Sequence, residues 1–126
     1  MGTYGSKEMA ASFRTVRKNT IQIAEDIPED KYDFAGAPDT MSVAATLKHL
    51  VYAPRLYQEI HASPGATTMV GFDFPAALGR LRTAEEVPRT KQEIVGLLKS
   101  EGESFAAWIE SLSPEYLAET FALRLQ

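Results

Sequence analysis

The chain has two histidines, His49 and His61, and both fall in the stretch MSVAATLKHLVYAPRLYQEIH, residues 41–61. Imidazole titrates near neutral pH and is the commonest metal ligand, so these two side chains are the first candidates for chemistry. They stand twelve residues apart. On an unbroken helix that separation is ~18 Å along the axis and ~120° around it, whereas a metal–imidazole bond is ~2 Å long. One chain cannot bring both rings to one ion. His49 lies among Ala45, Tyr52, Ala53 and Leu56, on a face expected to point into the bundle, toward the third long helix or the space a fourth would fill. A histidine there is either a ligand or a satisfied core residue. His61 precedes Ala62-Ser63-Pro64, where an imidazolium faces a helix C-terminus favourably, and it reads as structural.

Other chemistry is sparse. There is no cysteine, which excludes disulfides, thiolate catalysis and cysteine-based zinc sites. No serine or threonine has a nucleophile-elbow context, and no glycine loop could cradle a phosphate. The acidic pairs Glu85-Glu86 and Glu101/Glu103 read as solvated surface, and Glu29-Asp30 as a turn. Tyr52, Tyr57, Phe105 and Trp108 recur at helical spacings and read as core.

The elements that must position His49 are helical. Met9, Phe13, Val16, Thr20, Ile23 and Ile27 fall on one face of a first helix over residues 6–27, with Lys7, Arg14, Arg17, Lys18 and Asp26 on its outer face and Pro28 ending it. A second helix over 41–62 is capped by Thr40 or Ser42. It carries two apolar stripes, as expected of a central helix with neighbours on two sides. Pro54 inside it removes one backbone hydrogen bond, leaves the carbonyl of Leu50 without its usual donor and predicts a kink. Residues 63–88 read as a long irregular crossover with one short helical turn near Ala76–Leu81. Thr90 and Glu93 form a capping box for a third helix over 89–112. Gly102 beside its apolar stripe costs ~1 kcal/mol of helix propensity and predicts a closely approaching neighbour. Ser113-Pro114-Glu115 starts a further short turn.

The bulk numbers bound the rest. A chain of 126 residues makes one domain. A net charge of −4 and a pI near 5.2 argue against nucleic acid or an anionic membrane as partner. The lack of cysteine and of an apolar leader fits a cytoplasmic protein.

The stretch MSVAATLKHLVYAPRLY resembles the second-helix motif of the DinB superfamily of bacterial metal-binding four-helix bundles, with its small polar cap, apolar alternation and histidine. The tract FDFPAALGRLRTAEEVPRTKQEIVGLLKSEGESFAAWIESLSPEYLAETF is similar to that family's connector and third helix. The resemblance spans nearly the whole chain. It implies an all-α, DinB-like four-helix bundle in one domain over 1–126, of which three long helices are present and the C-terminal one is lacking. It implies that His49 is the second-helix ligand of a divalent metal, zinc or nickel. The two further histidines of the family have no counterpart here, so metal binding by this chain is expected to be weak or absent. Members with assigned activities resemble transferases and isomerases that use low-molecular-weight thiols such as bacillithiol or mycothiol. A three-histidine metal with an open position lowers a bound thiol's pKa and presents a thiolate. Catalytic residues beyond the ligand are not identified. The alternative is a non-catalytic helical domain that dimerises and binds no metal. In either case wide apolar faces predict a homodimer.

Overall fold

A computed structural model describes residues 5–61 and 73–117. The described residues form helices and connecting turns, with no strand among them. The order is α1 (Ser6–Asp26), a 3-10 turn (Glu29–Lys31), α2 (Val43–Ile60), α3 (Phe74–Glu86), α4 (Lys91–Glu110) and the single turn α5 (Pro114–Leu117). α1 packs on α4, α4 on α2, and α2 on α3.

The expectation of three long helices with a fourth lacking is corrected here, because the described residues form four helices beyond the single turn α5. The additional one is α3, thirteen residues long, inside the stretch read as irregular. Its local signals are present. The Asp73 side chain accepts from the Ala76 N–H, and Pro75 sits in the first turn, where its missing N–H costs nothing. The preceding residues 63–72, and those after Leu117, lie outside the described residues.

The other helix starts follow their signals. The Ser42 side chain caps α2 by accepting from the Ala45 N–H, and Thr90 with Glu93 makes the reciprocal box on α4. α1 begins at Ser6 itself, with the Gly5 N–H donating to Glu8. Two helix C-termini lack basic residues of their own and are capped from elsewhere. Lys91 Nζ donates to the carbonyls of Glu25 and Ile27 at the end of α1, and Lys48 Nζ to that of Val87 at the end of α3.

The core comprises Ala24, Tyr32, Leu47, Val51, Tyr52, Ile94, Val95 and Leu98. The face of α1 turned into the protein matches the expected one only in part, with Ile27 against the core and Phe13 on the Phe105 ring. Its buried residues are Ala10, Arg17 and Ala24, while Met9, Val16 and Ile23 are exposed, Val16 at 63%. Small side chains let α1 approach α4 closely, and that proximity is what the large apolar stripe could not provide. Gly102 of α4 completes the approach: a Cβ there would lie 2.7 Å from Cγ of Arg17. Arg17, expected on the outer face, is 7% exposed.

Candidate functional site

His49 is carried by α2 and Glu85 by the last turn of α3. Nδ1 of His49 lies 2.7 Å from Oε2 of Glu85. The His49 side chain is 48% exposed and that of Glu85 only 18%. This corrects two expectations. His49 does not point into the core toward α4, because α3 takes up the side of α2 on which His49 sits. Glu85 is not solvated surface, because the same packing covers it. No sequence periodicity pairs these two residues; only the docking of α3 on α2 does.

Three polar contacts hold α3 against α2: the His49–Glu85 pair, Lys48 with the Val87 carbonyl, and the ion pair of Arg80 with Glu59. Beside the histidine, one turn along α2, a pocket of about 120 Å³ is lined by Tyr52, Arg55, Leu56, Glu59, Arg80, Leu81 and Ala84. Its arginines are already engaged. Arg55 makes a bidentate pair with Glu101 of α4 at 2.8 Å and stacks over the Tyr52 ring, which leaves Arg55 more firmly protonated than usual. Glu101 is thus a tie between α2 and α4 rather than solvated surface.

On the other side of α2 runs an apolar groove of about 280 Å³, lined by Phe13, Val16, Thr20, Leu50, Ala53, Pro54, Tyr57 and Phe105, with Arg17 in its wall. Tyr57 lines the groove and is 58% exposed, so it does not belong to the core expected of it. A further hollow of about 460 Å³ is lined by Glu25, Glu29, Lys91 and Lys99, where Lys99 pairs with Glu25 and the backbone N–H of Lys91 donates to Glu29. It brings no candidate base or ligand together with His49. His61 sits at the C-cap of α2, its backbone N–H donating to the carbonyl of Tyr57.

A stable zinc or nickel site takes about three protein ligands. Among the described residues no group of three histidine, aspartate or glutamate side chains could hold one ion. His49 has Glu85 as its hydrogen-bond partner, and the described residues do not complete a ligand set around it.

A family model for the DinB superfamily matches residues 12–124 of the chain. No curated protein and no solved structure matches it.

Proposed function

The chain belongs to the DinB superfamily, and from that premise we propose that it is a cytoplasmic metal-dependent enzyme in which His49 is one ligand of a divalent zinc or nickel ion. The reaction class is transfer or isomerisation dependent on a low-molecular-weight thiol, taken over from the family by analogy. A bound metal of this kind would supply an open position that favours the thiolate form of a small thiol. What supports the ligand reading is one observation. His49 has a half-exposed side chain and commits Nδ1 to Glu85, while no hydrogen bond to its Nε2 occurs among the described residues. A net charge of −4 supports neither nucleic acid nor an anionic membrane as partner.

The test is titration of the protein with nickel and with zinc, followed by an assay of thiol transfer to a small electrophile. His49→Ala should lose whatever metal-dependent heat and metal-stimulated transfer the chain shows. Unchanged metal affinity in His49→Ala would overturn the ligand assignment.

A second reading is a helical domain that dimerises without metal chemistry. It is favoured by the exposed run of Met9, Val16 and Ile23 on α1 beside Leu50 and Tyr57 on α2. Met9 and Ile23 stand seven residues either side of Val16. Two antiparallel copies of α1 can therefore meet about a two-fold axis at Val16, Met9 of one against Ile23 of the other. Failure of both metal titrations alongside a stable dimer would favour this reading.

A further inference from the structure

We infer that Glu85 is a positioning residue: it holds the His49 imidazole as the Nδ1–H tautomer and turns the Nε2 lone pair away from α3. The inference rests on the ligand reading for its consequence at a metal, and on geometry alone for the tautomer. An ionised carboxylate can only accept hydrogen bonds. A contact of 2.7 Å between Oε2 and Nδ1 therefore places the proton on Nδ1. A neutral imidazole so bound has its remaining lone pair on Nε2, the nitrogen then free to ligate.

The carboxylate is well placed for that role. Its side chain is the more covered of the two. It is presented by a helix clamped to α2 on both sides of the pair, by Lys48 with the Val87 carbonyl and by Arg80 with Glu59. Leu81 and Ala84 of the same helix pack against the core. The nearby ammonium of Lys48 is taken up by the Val87 carbonyl. Glu85 thus acts as a fixed acceptor, and the ring of His49 is set by α3 rather than by its own helix.

The experiment is long-range 1H–15N NMR of the imidazoles at mildly alkaline pH, combined with nickel titration. With two histidines in the chain, His49→Ala assigns the signals. The wild type should show a protonated Nδ1 and an unprotonated Nε2 at His49. Glu85→Ala should move the ring toward the Nε2–H form. Arg80→Ala, which breaks another α2–α3 pair, should lower the melting temperature while leaving the tautomer and nickel affinity unchanged. An Nε2–H ring in the wild type, or an unaltered tautomer in Glu85→Ala, overturns the inference whatever the metal does. A wild type with the Nδ1–H ring that takes up no nickel instead overturns the ligand reading and upholds the positioning role.

Discussion

Nη2 of Arg17 donates to the carbonyl oxygen of Leu50 at 2.8 Å, the oxygen four residues before Pro54 that has no helical N–H to accept. Nη1 of the same guanidinium donates to the carbonyl of Leu98 on α4, also at 2.8 Å. One buried cation therefore joins α1, α2 and α4 through backbone oxygens. Burial disfavours its charge, while the field of Glu101 partly offsets that.

Arg17→Met should destabilise the protein by ~2–4 kcal/mol in urea unfolding, because one buried and one partly buried carbonyl lose a charged donor. In a Pro54→Ala background residue 54 regains an N–H for Leu50, and the cost of Arg17→Met should shrink by ~1 kcal/mol. A double-mutant cycle without coupling would show that Arg17 does not serve the gap left by the proline.

Gly102→Ala sets helix propensity against space. Propensity alone favours alanine by ~1 kcal/mol. The added Cβ would meet Arg17 Cγ at 2.7 Å, and overpacking of this kind costs ~1–3 kcal/mol, so the substitution should be net destabilising. In an Arg17→Ala background, where Cγ is gone, the same substitution should become stabilising. Chemical denaturation of the four proteins reads the change of sign directly.

Arg14 of α1 reaches two carboxylates of α4, Glu103 at 2.7 Å and Glu110 at 3.1 Å. Its hydrogen bonds hold both carboxyls below the ordinary value of 4.5. A carboxyl depressed in the folded state stabilises the fold above its unfolded value, and that contribution fades as pH falls through the folded value. The melting temperature should therefore drop on acidification below about 4.5 more steeply in the wild type than in Arg14→Gln. High salt should narrow the difference between them, since these groups are open to solvent.

The homodimer of the second reading has a direct check. Sedimentation at micromolar concentration should give a dimer, and Val16→Glu combined with Tyr57→Glu should give a monomer of undiminished helicity. A wild-type monomer would remove the exposed α1–α2 face as a self-association surface.

Helix identity and helix ends were legible in the amino-acid sequence because they rest on local rules. Ser42, Thr90 with Glu93, and Pro114 each satisfy or dispense with backbone N–H groups within a few residues of themselves. The family was legible too, in the order of those helices and in the histidine of α2. α3 is less legible: Asp73 and Pro75 are sound start signals, but the glycines and prolines before them have the composition of a long loop.

What tertiary structure alone decided is which face each helix buries and which side chains then meet. Hydrophobic periodicity marked the large residues of α1 as its inner face, but close approach to α4 selected Ala10, Arg17 and Ala24. Burying Arg17 depends on acceptors in Leu50 and Leu98, 33 and 81 residues away. The pairing of His49 with Glu85 spans 36 residues and depends on how α3 lies on α2. Local propensity acts over one helical turn, whereas these contacts arise from the packing of whole helices. The sequence therefore determined where helices begin and end and which residue carries an imidazole, and the fold determined what that imidazole faces.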